Sequence, residues 1–84
     1  MSGQEKAIIT ALWTGRFFLS VHAARRMQQR SITKADIRGC GRTAESCIFQ
    51  TGRGTYRVDG KAIEDEPLTV ICGIDEGIVI VTLF

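Results

Sequence analysis

Between Ser20 and Arg30 the chain reads Ser-Val-His-Ala-Ala-Arg-Arg-Met-Gln-Gln-Arg, a stretch that holds its only histidine. On a helix turning by about 100° per residue, Val21, Ala23, Ala24 and Met27 gather into an apolar face. His22, Arg26 and Arg30 follow one another at spacings of four and share the other side with Gln29, within reach of one ligand. Arg25 falls at the edge of this stripe. No acidic residue shares it, so its charges repel, a cost that an anionic ligand relieves. An imidazole can accept a proton. A proton acceptor beside guanidinium groups suits cleavage of RNA by its own 2′-hydroxyl: the base takes the proton while arginines hold the phosphate as charge builds. Such a reaction needs neither metal nor cofactor. The plain alternative is a solvated surface helix that packs Ala23 and Met27 inward.

A second basic group is Arg53, Tyr56 and Arg57. Neighbours in a strand point to opposite faces, so only one of Tyr56 and Arg57 can face the helix. Arg57 would add to a phosphate site; Tyr56 would stack on a base or donate a proton. Other motifs are weaker. Gly52-Arg53-Gly54 lacks the spacing of a Walker or Rossmann loop. Cys40, Cys47 and His22 match no known metal-ligand spacing, and Trp13 reads as a core anchor.

The elements around these residues begin with a helix from Ser2 to Thr14, where Ser2 and Glu5 form a capping-box pattern and Gly15 closes the end. Phe17-Phe18-Leu19 is a short apolar stretch, either strand or extended link. Ser20 caps the basic helix. Thr33 caps a further helix from Lys34 to about Cys40, which Gly39 and Gly41 end. Strands then follow at 46–51, 55–58, 61–63, 68–74 and 78–84. Asp59-Gly60 reads as one hairpin turn, and Asp75-Glu76-Gly77 closes another. Helices followed by a meander predict an α+β fold, with N-terminal helices packed on an antiparallel β-sheet. The last two strands are apolar enough to be covered on both faces. That cover can come from the first helix, a partner protein or a second copy.

With 84 residues, 44% hydrophobic and 24% charged, the chain accommodates one domain. No apolar run approaches the roughly 20 residues that span a bilayer, so no membrane role is expected. The start does not read as a secretory signal. Three cysteines without a paired spacing argue against a disulfide framework, which makes a cytoplasmic location the expectation. The net charge of +2 conceals a split. Residues 16–57 hold nine Lys or Arg against Asp36 and Glu45, whereas residues 61–84 hold Lys61 against five acids. Such asymmetry suggests one face for an anion and another that avoids it.

In order along the chain come Leu19-Ser20-Val21-His22-Ala23, Arg26-Met27 with Arg30 and Ile32, Tyr56-Arg57-Val58, Pro67-Leu68-Thr69-Val70, and Val79-Ile80-Val81-Thr82-Leu83-Phe84. Together they resemble the small bacterial domain-of-unknown-function family numbered 4258, over roughly residues 17–84. That family is similar to the RelE-type toxin superfamily and is often associated with a zinc-ribbon protein that looks like an antitoxin. The resemblance implies a two-layer domain of the RelE or microbial-ribonuclease type, the toxin of a type II toxin–antitoxin pair. Its substrate would be RNA, including ribosome-bound mRNA, and its partner a small antitoxin-like protein. The positions that match the family's pattern are His22, Arg26, Arg30, Arg57 and Thr82. Ser31 stands where a glycine is common, and the first helix is an addition. On this reading His22 is the base or acid, and Arg26, Arg30 and Arg57 bind phosphate. Arg25, Arg53, Tyr56 and Thr82 are peripheral nucleic-acid contacts. Two competing readings remain: a nucleic-acid-binding module without catalysis, and an interaction domain whose exposed sheet or edge strand pairs with another protein.

Overall fold

The computed structural model describes residues 3–84, in which the helices precede most of the sheet, an α+β order. Helix α1 (Gly3–Thr14), strand β1 (Phe18–Leu19), α2 (Val21–Arg30) and α3 (Lys34–Arg42) lead into β2 (Ser46–Gln50), β3 (Thr55–Lys61), β4 (Pro67–Ile74) and β5 (Ile78–Leu83). The cap assigned to Ser2 lies outside the described residues. At the other end of α1, Gly15 takes φ +80° while the Arg16 amide donates to the Ala11 carbonyl at 2.9 Å, as expected of a glycine closing a helix.

Local chemistry also explains the two following helices. Ser20 is extended, and its hydroxyl accepts from the Ala23 amide at 3.0 Å. Helix α2 stops at Ser31, whose φ of 56° and ψ of 37° are left-handed, the conformation for which glycine is preferred. Thr33 and Asp36 then form a reciprocal capping box. The amide of Thr33, above all, holds the Asp36 carboxyl below its usual range, and the Ile63 amide adds to this.

Strand order is β1-β5-β4-β3-β2. The meander from β2 to β5 is antiparallel, as expected. The stretch at Phe18-Leu19 adds a short edge strand parallel to β5, so the sheet is mixed. No hairpin joins these two strands, and a long crossover permits the parallel direction.

Asp59-Gly60 is not a turn. β3 runs through it to Lys61, pairing Asp59 with Thr69 and Gly60 with Leu68, and there is no return strand at 61–63. The chain reverses at residues 62–66, where the Asp65 amide donates to the Ala62 carbonyl at 3.0 Å. Gly60 serves a close approach instead: a Cβ there would press on the Cys40 carbonyl, lying 3.1 Å from its carbon. Gly39 and Gly41 do not end α3, which continues to Arg42. A Cβ on Gly41 would stand 2.6 Å from the Trp13 nitrogen, so this glycine lets α1 and α3 touch through their backbones.

Tyr56, Val58, Val70, Cys72, Ile80 and Leu83 face the helices, and Ile8, Leu12, Ala23, Ile37 and Cys40 close the core over them. Trp13 is not an anchor; it is 44% exposed, and Leu12 takes the buried position. Val70, Ile71 and Cys72 are buried in succession, but Ile74 of β4 is exposed and Val81 of β5 is exposed at the bulge between the two strands, so the expected cover on both faces is incomplete. Ile48, Arg57, Ile71 and Thr82 lie in one row on the face away from the helical core.

Candidate functional site: a basic helix beside an open sheet face

Ser20 does more than cap α2. Its amide donates to the Ile80 carbonyl at 3.0 Å and its hydroxyl to the Val81 carbonyl at 2.7 Å, which ties the start of the helix to β5. From that anchor Ala23 packs into the core and Met27 against it. The apolar arc is narrower than the wheel suggests, because Val21 is 77% exposed and Ala24 is also exposed. His22, Arg25 and Arg30 are exposed, and Arg26 is half-buried with its Nε shielded from solvent and without a hydrogen-bond partner. The stripe therefore winds from the open flank at His22 toward the buried side at Arg26. None of His22, Arg25, Arg26 and Arg30 forms an ion pair among the described residues. Helix α1 packs chiefly on α3 and also meets β2, which leaves the ridge uncovered by it.

Parity along β3 settles the choice between Tyr56 and Arg57. Tyr56 turns into the core, 7% exposed, and its hydroxyl donates to Gln4 Oε1 at 2.6 Å. It is unavailable to stack on a base, which corrects its expected role. Arg57 points to the open face, with its guanidinium 5.8 Å from the centre of the Phe84 ring. It is already paired: Nε lies 3.1 Å from Asp59 Oδ2. Asp59 also accepts from Thr69 Oγ1 at 2.6 Å and from Ser46 at 3.3 Å. The Thr69 bond and then the Arg57 contacts hold its carboxyl below the usual range. An incoming phosphate must compete with this internal anion.

Arg53, Arg57 and Thr82 share a shallow groove of about 600 Å³ with Ile71 and Phe84. Arg30 lines a different groove, where Ile32, Phe84 and the acidic residues Glu64 and Glu66 also appear. Phe84 borders both, while His22 and Arg25 line neither. Thr82 Oγ1 is buried without a partner, as is Arg26 Nε, and α2 rests on the strand that carries Thr82. Asp59 and Phe84 are the site residues that sequence reasoning missed. Asp59 is two residues from Arg57 and thus on the same face of a strand, a signal lost once it is assigned to a turn. Phe84 pairs with Thr69 just beyond the end of β5, through two backbone bonds of 2.9 Å.

The cysteines belong to the core. Burial pushes the thiols of Cys40 and Cys72 up to about 12 and that of Cys47 to about 11. Among the described residues, no three His, Cys, Asp or Glu side chains converge as a metal site needs, and no helix is long and apolar enough to cross a membrane.

Comparison with known proteins gives one match. A family model described as "Domain of unknown function (DUF4258)" covers residues 19–84, from the end of β1 to Phe84. No curated protein and no solved structure matches the chain.

Proposed function

This chain belongs to the DUF4258 family, and we propose that it is a toxin-like endoribonuclease that cuts RNA without a metal. The observation that carries the reading is the flank of α2, where His22 and Arg30 are exposed and Arg26 is half-buried, none of them in an ion pair among the described residues although Glu64 and Glu66 share the groove of Arg30. His22 takes the proton from a 2′-hydroxyl, and the freed oxygen attacks the adjacent phosphorus. The bond from phosphorus to the 5′-oxygen breaks, and that oxygen leaves with a proton from water. The products are a 2′,3′-cyclic phosphate and a 5′-hydroxyl. Arg26 and Arg30 hold the phosphate as charge builds on it, and Arg57 joins them by exchanging Asp59 for the ligand. Arg25 and Arg53 guide the flanking backbone, with base contacts falling to Phe84 in place of Tyr56, while the buried hydroxyl of Thr82 is out of reach of RNA.

A RelE-type two-layer arrangement, a cytoplasmic location and a neutralising zinc-ribbon partner belong to the same proposal. Incubation of RNA with the wild type and with His22→Ala tests it: cleavage by the first alone supports the role of His22, and equal rates remove it. One observation favours a second reading, nucleic-acid binding without cleavage. No hydrogen bond orients the His22 ring among the described residues, whereas catalytic bases are usually held by a neighbour. Salt-dependent binding with no product in either protein would select that reading.

A further inference from the structure

We propose that the free edge of β2 and the outer flank of α1 form the interface of a two-fold symmetric dimer of this chain. Strand β2 is outermost in the sheet, and its pairing with β3 runs through all five residues from Ser46 to Gln50 without a bulge. The usual guards on an edge are a charge, a proline or a bulge, and Ser-Cys-Ile-Phe-Gln has none of them. Ile48 is 59% and Phe49 48% exposed. Its hydrogen-bonding edge and these side chains together form a template for another strand.

The strand fits itself. In antiparallel pairing centred on Ile48, that residue meets its own copy, Cys47 meets Phe49, and Ser46 meets Gln50. Apolar residues face apolar ones, polar residues face polar ones, and no like charges are opposed. All five residues are used, and the two-fold axis stands perpendicular to the sheet, as an isologous contact requires. Pairing also brings the start of each β2 to the end of the other. Glu45 precedes the strand and Arg53 lies in the turn after it; both are exposed, with no ion pair in their own chain among the described residues. Each Glu45 thus approaches the Arg53 turn of the second copy, an opposite-charge match at both ends.

Helix α1 supplies the upper half of the contact. Leu12 and Trp13 lie toward α3, where Gly41 makes its close approach and Arg38 Nε donates to the Trp13 carbonyl at 3.1 Å. At about 100° per residue, Gly3, Ala7, Thr10 and Thr14 fall on the opposite flank. With Lys6, Ala11 and Arg16 they line a groove of about 600 Å³, and the small side chains among them admit another helix closely. Helix α1 meets β2 and, through Gln4, Tyr56 of β3, so it lies over this edge of the sheet. A helix between two strands spaced about 4.8 Å apart sits about that far from the axis. Its copy then lies roughly 10 Å away, the separation of packed helices. Both halves keep their helices on one side and their open faces, with Arg57, on the other. The ten-stranded sheet would therefore double the basic surface without covering it. α1 lies outside the residues matched by the family model, and so does this half of the interface.

Sedimentation velocity of the full chain between about 10 and about 200 μM tests the proposal across the range of a micromolar dissociation constant. The expected species has twice the 9.3 kDa mass of the chain. Ile48→Lys and Ala7→Glu each change an exposed residue and should give a monomer with an unaltered circular dichroism spectrum. Under oxidised glutathione, Ile48→Cys should link two chains through its own copy, because residues directly opposed in an antiparallel pair lie within about 5.5 Å at Cβ. Thr51→Cys, opposed to Glu45 in this register, should not. A wild type that stays monomeric, a dimer that survives Ile48→Lys, or equal cross-linking by both cysteine variants overturns the interface. If Ile48→Lys loses the native spectrum, the cysteine pair decides.

Discussion

Asp59→Asn should loosen the fold and tighten the grip on RNA, two opposed effects with a single cause. The native carboxylate pairs with Arg57 at 3.1 Å, with side chains 45% and 35% exposed. An ion pair so open to solvent contributes about 0 to 1 kcal/mol. The 2.6 Å bond from Thr69 to a charged oxygen is stronger, but asparagine retains a carbonyl that can accept it. Loss of the charge assistance therefore costs about 1 to 2 kcal/mol in all. In a domain of this size that lowers Tm by roughly 5 to 15 °C. On the binding side, a carboxylate about 8 Å from a phosphate held by Arg57 costs on the order of 0.5 kcal/mol at the dielectric of water. Its removal should tighten a single-stranded RNA oligomer about two- to threefold at low salt. Arg57 also becomes free to neutralise one more phosphate, which steepens the plot of log affinity against log salt by about 0.7. Fluorescence anisotropy of a labelled oligomer across a salt series, with thermal denaturation of both proteins, measures each quantity. Weaker binding by Asp59→Asn, or an unchanged slope, would refute the view that Asp59 competes with phosphate for Arg57. The pH dependence has a defined sign. The Asp59 carboxyl is lowered from 3.8, so its contribution is present above that value and is lost as pH falls through the lower folded-state value. The asparagine variant should lose less stability over that acid limb.

Three further outcomes follow from the packing. Gly60→Ala should destabilise by about 1 to 3 kcal/mol in urea melts, because its methyl meets the Cys40 carbonyl and the glycine has no positive φ to relieve; a neutral result would reinstate a flexible turn. Ser31→Gly should stabilise by about 1 kcal/mol by removing the cost of a left-handed serine, measurable in the same melts. The three thiols should resist iodoacetamide at pH 8 until the chain unfolds. Since their folded values lie near 11 and 12 against 9.0, the stability they confer should fall as pH rises above 9 and be lost through the folded values.

What could be read from the sequence was mostly local. Ser20, Thr33 with Asp36, and the Asp75–Gly77 turn carry their geometry within a few residues, and the periodicity of Ala23 and Met27 gives the buried side of α2. Long-range contacts set the rest. Gly60 looks like a turn residue because Asp-Gly favours hairpins, yet its purpose depends on Cys40, twenty positions earlier. The same misreading concealed the Arg57–Asp59 pair. Which of Tyr56 and Arg57 faces outward depends on which side of β3 the helices cover, a fact that alternation alone does not contain. Trp13 and Leu12 are adjacent apolar residues, and only the position of α3 decides which one is buried. The pairing of Phe18 with Val79 spans most of the chain, beyond any local signal.

The proposed chemistry is tested most directly by the ends left on RNA after incubation with the protein in excess EDTA. Attack by the 2′-oxygen with His22 as base predicts 2′,3′-cyclic phosphate and 5′-hydroxyl ends, absent when His22→Ala replaces the wild type. Ends carrying a 3′-hydroxyl and a 5′-phosphate, or equal cleavage by the alanine variant, would contradict it.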